Sequence, residues 1–167
     1  MIARLKHSLT TLPSAAEWGL CAAISAAALL GIGLCAYNLG LIHWLPRTDT
    51  WGMRLIGSML VPAFTEELVF RGLLIPSRGE SRHPGRWFAV GILVFVLWHV
   101  FEAVTFLPGA KLFLQPGFLA CVAMLGATCA YMRYRTGSLW PAVVLHGLLV
   151  FGWQTFFSGP AVADLLR

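Results

Sequence analysis

The fold of this protein is decided by residues 52–76, GMRLIGSMLVPAFTEELVFRGLLIP, an apolar stretch that contains Glu66, Glu67 and Arg71. About 20 apolar residues suffice for a helix to cross a hydrocarbon core of about 30 Å. Each charged side chain at the centre of such a helix costs about 2.5–3.5 kcal/mol of insertion free energy, and a good apolar residue returns only about 0.3–0.6 kcal/mol. Alone, this helix would insert poorly, so its carboxyl groups need buried partners or must be protonated.

The composition of the whole chain is that of a membrane protein. Of its 167 residues, 58% are hydrophobic and 11% are charged, whereas soluble domains carry about 25% charged residues. Its length suits one domain, residues 1–167. The formal charge of +5 does not indicate nucleic-acid binding, because the basic residues lie mostly between apolar blocks and form no face interleaved with stacking aromatic side chains.

Five apolar blocks can be drawn along the chain, at about 17–41, 52–76, 87–107, 116–132 and 139–157. They are continuous runs rather than alternating segments of about ten residues, which favours helices over the strands of a barrel. The first block is longer than the apolar region of about 7–15 residues in a cleavable signal, so we expect a retained span. The sequence therefore predicts an all-α protein, a polytopic bundle of about five transmembrane helices.

The distribution of basic residues predicts the orientation in the membrane. With five spans, seven Lys and Arg residues flank the side on which the N-terminus lies, and three flank the other side. Because cytoplasmic loops carry the excess of positive charge, we expect a cytoplasmic N-terminus. The same basic residues are expected to contact anionic membrane lipid.

The two adjacent glutamates differ in their local partners. Glu67 and Arg71 are four residues apart with the acid first, so they share a helix face and can form an ion pair. Glu66 is offset from Glu67 by about 100° around the helix and points elsewhere. The pair explains Glu67 as structural support and leaves Glu66 without a local neutralising group.

Two histidines stand in apolar surroundings on other predicted helices. Glu66 lies 12 residues before Arg78, His99 lies 13 after Arg86, and His146 lies 11 after Arg135. At a rise of about 1.5 Å per residue, all three are roughly 16–20 Å from the same membrane boundary. Ionisable residues inside a membrane usually mark a functional site, and a common depth on three helices predicts that these three form one.

At this point the sequence resembles a known family. The run Glu66-Glu67-Leu68-Val69-Phe70-Arg71 matches the EExxxR motif of the CPBP family, the intramembrane glutamic proteases that include the prenyl-protein CAAX endopeptidases and many bacterial relatives. The run Phe95-Val96-Leu97-Trp98-His99 resembles its FxxxH motif, and His146 is similar to the start of its last motif. The resemblance covers about 52–157, in the family's order and spacing.

The resemblance implies a role for each matching residue. Glu66 is expected to be the general base that activates the hydrolytic water, and His99 its partner in holding that water. His146 is expected to contribute to the site that stabilises the oxyanion, and Glu67 and Arg71 to be the supporting pair. Amide hydrolysis needs such a base and donors aimed at the developing oxyanion. The resemblance implies no metal and no cofactor.

The resemblance also implies the partners and the location. The expected substrate is a protein or peptide with a hydrophobic or lipidated C-terminal region, cut near that end, and membrane lipid surrounds the enzyme. Small bacterial members are similar in length, and some serve sorting-tag systems that clip a hydrophobic tail from exported proteins. The expected location is the inner (cell) membrane of a bacterium.

The sequence departs from the family pattern at one position. Four residues after His146, where the family has Asn or Asp, stands Val150, which cannot donate a hydrogen bond. Trp98 and Gln154 are candidate replacement donors. Glu102, three residues after His99, is an extra carboxyl that could orient the His99 imidazole or simply be a charge near the helix end.

Two other functions are compatible with these residues. Two histidines and a glutamate could hold zinc with an open position, although there is no HExxH run and each ligand would come from a different helix. The chain could also be a membrane scaffold or immunity protein that keeps the family core without chemistry, which Val150 favours.

Overall fold

The structure, a computed structural model, describes residues 2–160 and Leu165. The regular elements among these residues are helical, and the sole extended pairing that they show is an isolated bridge between Leu45 and Phe157. Three of the helices are long and apolar enough to cross a membrane. The prediction of an all-α integral membrane protein is confirmed.

Seven α-helices follow one another along the described chain. Their bounds are α1 Ile2–Thr10, α2 Ala15–Asn38, α3 Trp51–Ser58, α4 Thr65–Glu67, α5 Pro84–Thr105, α6 Pro116–Thr136 and α7 Trp140–Phe156. Two π-helical segments, Met59–Phe64 and Leu68–Leu73, flank α4, and a short 3₁₀ helix covers Lys111–Leu114.

Helical segments occupy all five predicted blocks, but not all as long apolar helices. The three candidate spans are α2, α5 and α6, whereas α7 has 17 residues and the second block is divided. The sequence predicts that the fourth block ends at about residue 132, before Arg133. Helix α6 runs on to Thr136 because Arg133 is buried inside the protein, and it ends at Gly137, whose φ of 69° suits a left-handed cap.

The second block is broken just before its glutamates. Val61 has an extended conformation (φ −138°, ψ 114°), and Pro62 has no backbone N–H to donate to the preceding turn. The hydroxyl of Thr65 donates to the Pro62 carbonyl, 3.0 Å away. Helix α4, which carries Glu66 and Glu67, therefore starts anew after the break, and its direction is not set by α3 alone.

Helix α1 is an element that the apolar blocks do not predict, because it is short and mixes polar with apolar residues. Its Arg4 Nη1 donates to the carbonyls of Leu73 and Leu74, each 3.0 Å away. Near its other end, Leu9 accepts a hydrogen bond from the Trp140 indole at 3.1 Å. Helix α1 thus joins the end of the glutamate-bearing segment to the start of α7.

Helix α6 lies at the centre of the packing and contacts α2, α5 and α7. A buried cluster formed mainly by α2, α6 and α7 surrounds Cys129 and Leu145. Large apolar side chains of α5 on the opposite face, such as Leu93, Leu97 and Val104, are exposed and suit contact with lipid tails. This packing turns the polar residues of α4, α5 and α7 toward one another.

Candidate active site

A buried polar cluster joins three of the predicted site residues. Arg71 Nη1 lies 3.1 Å from Glu67 Oε1, and His146 Nδ1 lies 2.8 Å from the same oxygen. All three side chains are almost completely buried, with 0–2% of each exposed. The Glu67–Arg71 contact predicted from the i, i+4 spacing is present, and Glu67 has a second partner that the spacing does not show.

His146 lies near both glutamates, and Glu67 rather than Glu66 is its closer partner. His146 Nε2 lies 3.9 Å from Glu66 Oε2, farther than the 2.8 Å between His146 Nδ1 and Glu67 Oε1. Glu67 therefore has His146 as a partner in addition to the predicted Arg71. Sequence distance from a boundary gives height along a helix axis, whereas the break at Val61 helps to set the rotation of α4.

Glu66, His99 and Glu102 form a second group beside this cluster. Each offers one side-chain nitrogen or oxygen, and these atoms all lie within 4.8 Å of one another. The Oε2 atom of Glu66 is buried and has no hydrogen-bond partner among residues 2–160 and Leu165. Glu66 therefore has an unused acceptor at the point where α4, α5 and α7 meet.

The ring of His99 is held by its own helix. Its Nδ1 lies 2.9 Å from the Phe95 carbonyl oxygen, which only accepts, so Nδ1 carries the hydrogen and Nε2 has a free lone pair. The sequence leaves open that Glu102 orients the His99 imidazole. In the structure the Phe95 carbonyl is the group that holds Nδ1 of this ring.

The Phe95 ring packs edge-on against His99 and His146, with centroids 4.8 and 6.0 Å apart, and the Arg71 guanidinium lies 4.0 Å from its centroid. The phenylalanine of the second motif thus packs against a residue of each of the three motifs, Arg71, His99 and His146. Its part in the site lies in this packing, which the spacing alone does not give.

A cavity of about 920 Å³ opens onto the polar groups. Its walls are mostly apolar and include residues of α2, the π-helical segment Met59–Phe64, α5, α6 and α7. The polar or ionisable residues along it include Thr65, Glu66, Trp98, His99, Glu102, His146 and Gln154. Such a mostly apolar cleft with a few convergent polar groups is typical of a ligand-binding or active site.

The candidate oxyanion donors face the same cavity. Trp98, Val150 and Gln154 all line it, and Val150 and Gln154 are more than 90% buried. The Trp98 indole Nε1 is buried and finds no acceptor in the described part of the chain. Val150 leaves an apolar surface where the family pattern has a polar side chain.

The loop between α5 and α6 covers one side of His99. Phe113, on the 3₁₀ turn, is buried and stacks on Phe118 with centroids 4.7 Å apart. The Phe113 ring centroid lies 5.5 Å from that of His99. This loop therefore packs inward against the site rather than standing free of the bundle.

A helical membrane protein with a glutamate and two histidines around an apolar cavity is the class that this fold and site define. A family model, type II CAAX prenyl endopeptidase Rce1-like, matches residues 48–152, which is 105 of the 167 residues. The chain belongs to this family of CAAX-protease-type membrane endopeptidases, and the resemblance found in its motifs is confirmed. Searches among curated proteins and among solved structures gave no match.

Proposed function

We propose that the protein is an intramembrane glutamic endopeptidase that works without metal and cleaves membrane-associated or sorting-tagged proteins near their C-termini. The observation that carries the proposal is the Glu66 carboxylate. It is 8% exposed, its Oε2 has no hydrogen-bond partner among the described residues, and it faces the cavity beside two histidines.

Glu66 is the proposed general base. Its free oxygen can accept a hydrogen bond from a water molecule that also contacts the lone pair of His99 Nε2, because both groups line the cavity within a few ångströms. A base must lie within about 2.6–3.2 Å of the proton that it removes, which one water between these two side chains satisfies. Water held in this way would attack a peptide carbonyl in the cavity.

His146 is the proposed donor to the oxyanion. Glu67 accepts the hydrogen of His146 Nδ1, which fixes the ring and turns Nε2 toward Glu66 and the cavity. When it is protonated, His146 also donates from Nε2, as an oxyanion site requires. Arg71 supports this arrangement by neutralising Glu67, and Trp98 and Gln154 add possible donors along the same wall.

The cavity supports a substrate that is extended and apolar. Its walls include Leu30, Leu34 and Tyr37 from the exposed side of α2, together with Leu149 from α7. A hydrophobic or lipidated C-terminal segment could enter from the bilayer without leaving an apolar environment. We place the protein in a bacterial inner membrane with a cytoplasmic N-terminus, and the excess of basic residues on that side supports the orientation.

The test compares purified wild-type protein with Glu66→Gln and His99→Ala. The probes are internally quenched peptides that end in a Cys-aliphatic-aliphatic-X sequence, made with and without a farnesyl group, and a peptide with an unmodified hydrophobic C-terminal tail. Both variants should lose cleavage while still inserting, eluting as monodisperse protein and melting as the wild type does. Normal cleavage by Glu66→Gln would show that the proposed mechanism is wrong.

A second experiment finds the substrate in cells. The C-termini of the membrane proteome are compared between cells with wild-type protein and cells with Glu66→Gln. A protein whose C-terminus is shortened only in the presence of wild-type protein is the substrate. Identical C-termini in both strains, together with an unchanged cellular phenotype, would favour the scaffold or immunity role that Val150 suggests.

A chelator distinguishes the zinc-dependent hydrolase from the metal-independent protease. The ligand set expected from sequence includes His146, whose Nδ1 faces Glu67, whereas the candidate ligand atoms that come within 4.8 Å of one another belong to Glu66, His99 and Glu102. Cleavage by the glutamic mechanism should persist in strong chelator, and stoichiometric zinc should be absent from active protein. Loss of cleavage on chelation, restored by zinc alone, would favour the metal mechanism.

A further inference from the structure

Glu102 is a carboxyl that the family motifs do not account for. It lies on α5 one turn after His99, it is partly buried, and it lines the cavity. One of its oxygens lies within 4.8 Å of a carboxyl oxygen of Glu66 and of a ring nitrogen of His99. The structure therefore places a second carboxyl beside Glu66 and His99, in the same cavity that Val150 lines without offering a donor.

We propose that Glu102, as a neutral carboxylic acid, is a catalytic hydrogen-bond donor to the carbonyl oxygen of the scissile bond and so replaces the polar residue missing at position 150. The proposal rests on the proposed function, because it assigns a second group to the reaction that Glu66 starts. It makes Glu102, a residue outside the matched motif positions, part of the oxyanion site.

The surroundings of Glu102 favour a state in which one of the two carboxyls, Glu66 or Glu102, is protonated and the other is charged. Neither carboxyl is hydrogen-bonded to the nearby basic groups, since Arg71 contacts Glu67 at 3.1 Å and His146 Nδ1 contacts the same residue at 2.8 Å. Two carboxylates within 4.8 Å of each other in an apolar cavity repel if both are charged, so one member of such a pair tends to take up a proton. The charged member is then free to act as base and the neutral member as donor.

The step balances with these two groups. Glu66 takes a proton from water as the water oxygen bonds to the carbonyl carbon, and the carbonyl π electrons move to the oxygen. The Glu102 O–H donates a hydrogen bond to that oxygen and keeps its proton. When the carbonyl re-forms, the C–N bond breaks and the proton on Glu66 passes to the leaving nitrogen. One amide and one water give one carboxylic acid and one amine.

The comparison of Glu102→Gln with Glu102→Leu tests the donor role. A glutamine amide still donates a hydrogen bond, whereas leucine of similar size does not. Loss of one oxyanion donor lowers kcat by about 10²–10³-fold. We expect Glu102→Leu to lose about that much and Glu102→Gln to remain within roughly tenfold of wild type, measured with the peptide that the wild type cleaves.

A third variant uses position 150. Val150→Asn restores the side chain that the family pattern has at this place, and in the Glu102→Leu background it should recover at least about tenfold of the lost kcat. Wild-type kcat in Glu102→Leu, or equal loss in Glu102→Gln and Glu102→Leu, would overturn the donor role. Failure of Val150→Asn to recover any activity would overturn the claim that Glu102 replaces that residue.

Two controls keep the outcomes separate. Thermal melting and gel filtration of each variant show that the protein is folded, and leucine at an apolar membrane position is compatible with insertion. Glu66→Gln is measured beside them with the same peptide. Full activity of Glu66→Gln means that the proposed function fails, whereas inactive Glu66→Gln with fully active Glu102→Leu means that only the role of Glu102 fails.

Discussion

His146 and Glu67 meet at 2.8 Å between Nδ1 and Oε1, at a point where neither side chain is more than 2% exposed. The contact links the first motif to the last across 79 positions of sequence. Because the carboxylate accepts from Nδ1, the ring is oriented with Nε2 toward the cavity. Glu67 therefore has two partners, Arg71 for charge and His146 for orientation.

Glu67→Gln should damage both stability and catalysis. It leaves the buried Arg71 without a counter-charge, and breaking a buried pair by removing one partner costs about 3–5 kcal/mol. It also weakens the hold on His146, so kcat should fall by roughly 10²-fold. The melting temperature and peptide cleavage are measured on the same preparation.

The double variant Glu67→Gln with Arg71→Met separates the two effects. It removes the orphaned charge, so most of the lost stability should return. Catalysis should stay low, because the carboxylate that orients His146 is still missing. Recovery of wild-type kcat in the double variant would show that Glu67 acts through stability alone.

Gly147→Ala should destabilise the protein because α7 passes very close to the π-helical segment Met59–Phe64 at this residue. An added Cβ would meet the Met59 side chain and lie 3.3 Å from the Met59 Cα. Overpacking of this kind costs about 1–3 kcal/mol, and the shift would also displace the neighbouring His146. Gly152→Ala, on the same helix with nothing within 4 Å of the added Cβ, is the matched control and should be neutral or slightly stabilising. Equal melting temperatures of the two variants would contradict this account.

The features of the fold that depend on local sequence, such as the apolar helices, could be predicted from sequence. Runs of apolar residues gave the helices, and Pro116 begins α6 as a proline at the first helical position does. The depths of Glu66, His99 and His146 indicated one site because helical rise is constant, and these residues lie together in the structure.

The details of the site that the sequence does not predict depend on the rotation of each helix about its axis and on contacts between segments that are far apart in sequence. The break at Val61 re-aims α4, so spacing does not decide which glutamate His146 meets. Helix α1 has too few apolar residues to form a block, and it is held by Arg4 and Leu9 through contacts with distant segments. The proximity of Glu102 to Glu66 likewise depends on how α5 packs against α4.

Trp98→Phe should lower activity without lowering stability. The Trp98 indole Nε1 is buried beside the cavity without an acceptor among the described residues, which suits a donor that is used only in the transition state. Phenylalanine keeps most of the ring contacts with Phe70 and Phe106. We expect kcat to fall by about tenfold or more at an unchanged melting temperature. Trp51→Phe, at an exposed tryptophan, is the matched control and should cleave as the wild type does.

The loop after the glutamate-bearing segment should make stability depend on pH through Glu80. Burial by itself would raise the pKa of this carboxyl, but hydrogen bonds from the Ser77 N–H and from Arg4 outweigh burial and lower the pKa below the ordinary value of 4.5. A group whose pKa is lower in the folded state stabilises the protein above its unfolded pKa and loses that contribution as pH falls through the folded pKa. The melting temperatures of wild type and Glu80→Gln should therefore differ most above about pH 5 and converge as the pH falls through and below the folded pKa. Arg4→Gln should reduce the same pH-dependent difference, since it removes the cation that contacts Glu80. A difference between wild type and Glu80→Gln that stays constant from neutral to acidic pH would contradict the proposed linkage.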